Sequence, residues 1–261
     1  ASTKEPQSDS QALDAEMFKY VADQMIVNAG VKPLLHCFAS DVIVEDNIIK
    51  GVITESKSGR QAILAKRVID CTGDADVAAL AGAPFTKQDT EKLMRVTPLF
   101  NCSGVDTKKF KDYIYNELKP TYKDWSGDCW NQITTGKETH MFSPFVAKPF
   151  KEAAEEDEKY KPDPNVTFGG TWSTIDDNTG EVTQMNMVFM GGYDCTDVWD
   201  LTKAEIQGRE QVLKILEVLR LKIPGFEHAK LRNFGMTLGT RESRKIEGQS
   251  YLTEDDILNE G

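Results

Sequence analysis

The sequence lacks the features that mark several classes of protein. Five cysteines are scattered along 261 residues, and no two of them have the spacing Cys-x-x-Cys. An odd number at such spacing disfavours a disulfide framework and a structural zinc site, and it fits a reducing compartment. No apolar run approaches the roughly 18 residues that a membrane-spanning helix needs. We therefore expect no membrane-embedded segment.

Positive charge is also scarce. Lys and Arg number 31 against 42 Asp and Glu, so the net charge is -11. Nucleic acids and anionic lipids bind clustered Lys and Arg, and this balance argues against both as partners. The composition is typical of a globular protein, and we expect no signal peptide within this sequence. We predict a cytoplasmic location, and we expect that a segment upstream of Ala1, with any targeting signal it carried, has been removed.

Residues 1–90 have the pattern of part of an α/β domain. The predicted elements follow in order: a helix over 14–29, a β-meander over 34–65, a buried strand over 67–71 and a helix over 74–80. Turn residues separate these elements.

Residues 91–235 predict a second domain of mixed α+β type. It contains a helix that begins at Asp106, a β-hairpin with its turn over 176–180, and a long helix that ends at Lys222. Thr202 and Glu205 have the spacing of a capping box, which predicts that the long helix begins there. We expect residues 236–261 to return to the first domain.

Three stretches together resemble the FAD-dependent oxidoreductase family whose members share the two-domain flavoprotein fold of the glutathione-reductase type. The first is the helix and meander followed by DCTGDADVA at 70–78, and the second is the stretch over 201–227, which contains the long helix. The third, LGTRESRKIEG at 238–248, is the most distinctive. The resemblance covers about half the chain, in family order. It implies a partial Rossmann-like FAD-binding domain over 1–90 and a substrate domain over 91–235.

The chain also departs from the family pattern. Family members begin with a strand and a G-x-G-x-x-G turn that holds the pyrophosphate of the dinucleotide, and this sequence contains no such motif. It ends at Gly261, shortly after the third stretch, where the family chain normally returns to the FAD domain. We therefore expect a fragment, with a processed product or one half of a split protein as alternatives.

Thr72, Gly73 and Asp74 are candidate FAD-binding residues. They end the predicted buried strand, where open α/β sheets bind ligands, and glycine lets the backbone approach a cofactor closely. From spacing alone, Gly73 is equally well explained as the cap of a strand-to-helix turn. The resemblance favours the cofactor role, and it implies that Val42 contacts the adenine edge through its backbone.

Arg241, Glu242 and Arg244 are candidate catalytic residues. Two guanidinium groups around one carboxylate suit an anion site for a substrate carboxylate or reduced flavin. A surface ion-pair cluster is the alternative reading from the residues alone. The resemblance favours Arg241 and Arg244 lining the flavin or substrate pocket, with Glu242 orienting them.

Histidine is the commonest general acid or base, and the chain has three. His140 is a candidate proton carrier in the predicted substrate domain. His36 is predicted to be structural and His228 exposed. No Ser-His-Asp order or metal cluster is recognisable.

The sequence thus predicts an oxidoreductase that moves hydride or electrons between an unidentified small-molecule substrate and FAD. A flavin-free binding or assembly module that keeps the same fold is the alternative, and the missing glycine motif supports it. The expected partners are the small-molecule substrate and either the missing FAD-binding segment or a second copy of the chain.

Overall fold

A computed structural model describes residues 2–4, 11–118, 140–141, 147–168 and 173–258. The chain divides into two compact units. Unit 1 comprises Ala1–Tyr20 and Thr90–Arg241, and unit 2 comprises Val21–Asp89 and Glu242–Gly261. The domain boundaries expected at residues 90 and 235 stay predictions.

The elements are numbered in chain order. The strands are β1 (Ser2–Lys4), β2 (Gln11–Leu13), β3 (Cys37–Glu45), β4 (Ile48–Ser56), β5 (Gly59–Leu64), β6 (Phe85–Thr86), β7 (Phe100–Ser103), β8 (His140–Met141), β9 (Val166–Phe168), β10 (Ser173–Asp176), β11 (Glu181–Met185), β12 (Val188–Met190), β13 (Lys230–Phe234) and β14 (Lys245–Ile246). The α-helices are α1 (Ala15–Asn28), α2 (Asp76–Leu80), α3 (Thr107–Asp112), α4 (Ala147–Glu156), α5 (Val198–Lys222) and α6 (Glu254–Leu258). Shorter turns of 3-10 or π type are Thr90–Lys92, Tyr113–Leu118 and Glu158–Tyr160.

Unit 2 contains the predicted β-meander. Strands β3, β4 and β5 pair antiparallel in that order. The β3–β4 turn consists of Asp46 and Asn47, both with positive φ (52° and 59°), as a two-residue hairpin with the twist of its strands requires. A second pairing joins β6 to β14, so residues near the end of the chain return to this unit. The meander prediction is confirmed.

The buried strand predicted over 67–71 is wrong. These residues have no regular secondary structure, and none of the described residues pairs with them. A β-strand exists only through its hydrogen-bonded neighbour, so an apolar run without one stays irregular. Ile69 is 85% exposed, and Val77 is the hydrophobic side chain that the described part of unit 2 buries. The mixed α/β class is shown, with antiparallel sheets, and the Rossmann-like arrangement stays a prediction.

Unit 1 holds the hydrophobic core. A five-stranded antiparallel sheet has the order β13-β7-β11-β10-β8, and α5 packs against β12 and α4. Gly208 on α5 brings the helix close to β12, because a Cβ there would lie 3.3 Å from Met190 Cε. The largest fully buried core side chains are Phe100, Phe110, Ile114, Met185, Met187, Met190, Ile215, Leu219, Ile223 and Phe226.

Aspartates cap the first turns of α3 and α5. Asp106 accepts a hydrogen bond from the Lys109 amide at 2.9 Å, which confirms the predicted start of α3. The capping box predicted for α5 is wrong, because the helix begins one turn earlier. The Asp197 carboxylate accepts from the amides of Trp199 and Asp200, while the Thr202 hydroxyl donates back to the Val198 carbonyl. No helix in the described ranges is long and apolar enough to cross a membrane.

Candidate functional site

A tight loop precedes α2 in unit 2. The Asp70 carboxylate accepts hydrogen bonds from the Thr72 amide (3.0 Å), the Thr72 hydroxyl (2.7 Å) and the Ala78 amide (2.9 Å). The Thr72 hydroxyl oxygen in turn accepts from the Asp76 amide at 2.9 Å. Gly73 has a φ of 85°, and among the described residues no atom beyond its two chain neighbours lies within 4 Å of the position that a Cβ would take. The loop is therefore held by hydrogen bonds among its own residues and the start of α2, and the space beside Gly73 is open.

The same hydrogen bonds lower the pKa of the Asp70 carboxyl. Burial by itself raises the pKa of this carboxyl, but the hydrogen bonds from Thr72, Ala78 and Val77 outweigh burial and hold the pKa below its usual value. The ionised carboxylate is thus the form that the loop requires.

A second segment of unit 2 fastens this loop. The buried Ser243 hydroxyl donates to Asp74 Oδ1 at 2.5 Å. Arg244 Nη1 donates to the Asp74 carbonyl at 3.0 Å and to the Asp76 carboxylate at 2.7 Å. Asp74 and Arg244 are therefore joined directly, and the Asp74 carboxylate already has a partner within the protein.

A cleft of about 440 Å³ lies beside these residues, which is within the usual size of small-molecule sites. Its lining residues include Phe38, Ser40, Asp76, Leu80, Phe85 and Arg244. The Arg244 guanidinium lies 5.6 Å from the centre of the Phe85 ring and is mostly buried. Phe38 is 73% exposed, so its ring is accessible to a ligand.

Val42 and Arg241 lie elsewhere. Val42 is opposite Val52 in the meander, its amide donates to Asp41 Oδ1, and it does not line the cleft. Arg241 belongs to unit 1, where its guanidinium lies 5.7 Å from the centre of the Phe189 ring.

Glu242 and His140 complete the predicted set. Glu242 accepts a hydrogen bond from Gln88 at 3.0 Å and forms an ion pair with Lys245 at 2.5 Å. His140 lies in β8, opposite Thr174, and its side chain is outside the described residues.

The structure thus brings Thr72, Gly73 and Asp74 together with Arg244. Sequence reasoning missed Phe38, Asp76 and Phe85. The available signal for Asp76 was the D-x-D pattern after the glycine turn. Nothing in the sequence pattern indicated a role for Phe38, because its segment has the pattern of a β-strand without functional residues.

Comparison with known proteins gives one family. A family model of FAD dependent oxidoreductases matches residues 1–261. The chain has no significant match among curated proteins or solved structures. Because the match covers the whole sequence, the chain belongs to the FAD dependent oxidoreductase family, and FAD is the cofactor of that family.

Proposed function

We propose that this protein transfers hydride or electrons between a small-molecule substrate and FAD, and that the cleft of unit 2 receives part of the FAD. One observation carries the proposal. The exposed Phe38 ring and the Arg244 guanidinium line one cleft, and Arg244 is bonded to the loop that exposes Thr72 and Gly73. This combination offers an aromatic surface, a positive charge and open backbone.

These residues fit one portion of a dinucleotide. An exposed aromatic ring stacks on a flat heterocycle such as adenine. An arginine held in place by a carboxylate keeps other N–H donors that can bond a phosphate oxygen. The open space at Gly73 admits a ligand close to the backbone. The flavin, when bound, supplies the acceptor for hydride or electrons, and the protein supplies position and charge.

We propose catalytic roles for residues of the 241–244 segment and for His140. Arg241 and Arg244 would stabilise negative charge on substrate or flavin, and His140 would carry a proton. The contacts of Glu242 with Gln88 and Lys245 support a positioning role for its carboxylate within unit 2.

We also propose that a further polypeptide segment covers unit 2 and completes the FAD site, as in flavoproteins of the glutathione-reductase type. The support is the exposed apolar surface of this unit. Ile69, Phe38 and Leu64 are each more than 70% exposed, whereas folded domains normally bury such side chains.

Titration of FAD into the purified chain, followed by flavin fluorescence, tests the cleft. We expect weak binding, because contacts to the pyrophosphate would come from the further segment. Phe38→Ala should weaken that binding by roughly two- to tenfold, the loss expected for one stacking contact. Ile63→Ala is the control, since Ile63 is half-exposed on the same sheet but does not line the cleft.

Two outcomes would contradict the proposal. Equal affinity of the Phe38→Ala variant and the wild type would remove the cleft from the FAD site. Stoichiometric FAD retained by the isolated chain through gel filtration would show that no further segment is needed.

A further inference from the structure

A second cavity lies within unit 1 and has no part in the FAD proposal. Its volume is about 330 Å³, at the lower end of the range for small-molecule sites. Its lining residues are Glu91, Leu93, Arg95, Asn165, Gly191 and Gly192. Of these lining residues Leu93 is buried, whereas the charged residues Glu91 and Arg95 are exposed. The cavity therefore suits a small polar ligand.

Arg95 is held by one hydrogen bond and has further N–H donors. Its Nη1 atom donates to the Thr167 hydroxyl at 2.7 Å. Within the described ranges its other N–H groups have no partner. A guanidinium with one anchored nitrogen presents a planar fork, which matches the two oxygens of a carboxylate.

The wall next to Arg95 carries no side chain. The Gly191 amide donates to the Asn165 carbonyl at 2.8 Å, which ties the two segments together. A Cβ at Gly191 would lie 3.7 Å from Arg95 Cγ, so its absence leaves room along the arginine stem. Gly192 has a φ of 82°, a conformation that side-chain-bearing residues rarely adopt.

Glu91 brings the opposite charge to the same cavity. In the part of the chain that the structure describes, its carboxylate has no ion-pair partner, and it does not pair with Arg95. A site with separate positive and negative groups complements a ligand that carries both charges.

We propose that this cavity binds a small zwitterionic carboxylate, such as an amino acid, with Arg95 on the carboxylate and Glu91 on the ammonium group. The two glycines leave the space that the ligand occupies. The site needs no flavin, so its test is separate from that of the proposed function.

Alanine and propionate are the probes, because they share a carboxylate and differ in the ammonium group. Isothermal titration of each into the full chain should give dissociation constants on the order of millimolar for alanine, as expected for so small a ligand. Propionate should bind more weakly. Arg95→Gln should weaken alanine binding by about tenfold, the effect of losing one charge-assisted pair. Glu91→Gln should reduce alanine binding to the level of propionate.

The controls separate a site from general charge. Arg232→Gln removes an exposed arginine elsewhere in unit 1 and should leave both affinities unchanged. Arg95→Lys keeps the charge without the fork and should bind alanine with intermediate affinity. Melting curves identify any variant that fails to fold, and Arg95→Lys then supplies the comparison.

Several results would overturn the proposal. One is the absence of measurable alanine binding to the wild type. Another is an Arg95→Gln variant that binds alanine as the Arg232→Gln control does. If propionate binds as tightly as alanine, Glu91 does not bind the ammonium group, and the site does not select a zwitterionic ligand.

Discussion

Ser243 donates a 2.5 Å hydrogen bond to the Asp74 carboxylate, and the two residues are 169 positions apart in the chain. Ser243 is buried and Asp74 is half-buried. The bond is therefore partly shielded from water. It holds the loop at Gly73 against the segment that carries Arg244.

Ser243→Ala should lower the free energy of unfolding by about 1–3 kcal/mol, because the Asp74 carboxylate loses its donor. Urea denaturation followed by circular dichroism measures this loss. Ser250→Ala, at an exposed position in the same unit, should change the free energy by less than about 0.5 kcal/mol. Equal effects of the two substitutions would show that the Ser243–Asp74 bond does not stabilise the loop.

Asp70 should make the stability of the protein depend on pH in the acid range. Its folded pKa lies below the value of about 3.9 in an unfolded chain. Its contribution is therefore complete above that unfolded value and is lost as the pH falls through the lower folded pKa. Asp70→Asn should flatten this part of the profile. Urea unfolding at a series of pH values from about 5 down to about 2.5 gives the measurement, and superimposable profiles would contradict it.

Arg241→Lys should reduce turnover far more than stability. Lysine keeps the positive charge but loses the planar fork, so stabilisation of developing negative charge should fall by a few kcal/mol, about a hundredfold in rate. The measurement is the rate of flavin reduction in the FAD-loaded protein, set beside the melting temperature. Arg209→Lys, at an exposed arginine that pairs with the half-buried Glu205, is the control and should change neither quantity appreciably. An unchanged reduction rate in Arg241→Lys would leave Arg241 with its contact to Phe189 as a structural residue.

Asp197→Ala should destabilise the protein by about 1 kcal/mol, because two amides in the first turn of α5 lose their acceptor. Thr202→Ala should cost less, since the Thr202 hydroxyl bonds only to a carbonyl within the helix. Thermal unfolding of both variants compares the two positions. A larger loss for Thr202→Ala would favour the capping box over Asp197.

Local features were predictable from the sequence. The meander followed from its turn residues, and the start of α3 followed from Asp106, because each depends on neighbours within a few positions. The start of α5 was predicted wrongly, because Asp197 and Thr202 are both residue types that cap helices and they lie within one or two turns of each other. The strand predicted over 67–71 was wrong, because strand pairing depends on a partner that composition does not reveal.

The candidate site was predictable only in part. Thr72 and Gly73 follow from a motif, but the contacts of Asp74 and Asp76 with Ser243 and Arg244 join segments more than 160 positions apart. Neither segment by itself indicates the other. Phe38 becomes a site residue through its exposure beside α2, which is a property of the fold.

The discontinuity of unit 2 has a consequence for biosynthesis. Val21–Asp89 leaves the ribosome well before Glu242–Gly261, while the intervening residues contribute almost all of unit 1. Unit 1 can therefore fold around its own core before β14 has been synthesised. Until then β6, in the Val21–Asp89 part of unit 2, lacks its pairing partner. Closing such a long loop is slow, and apolar surface exposed in the interval is a binding site for chaperones. We therefore expect unit 2 to complete its fold after unit 1.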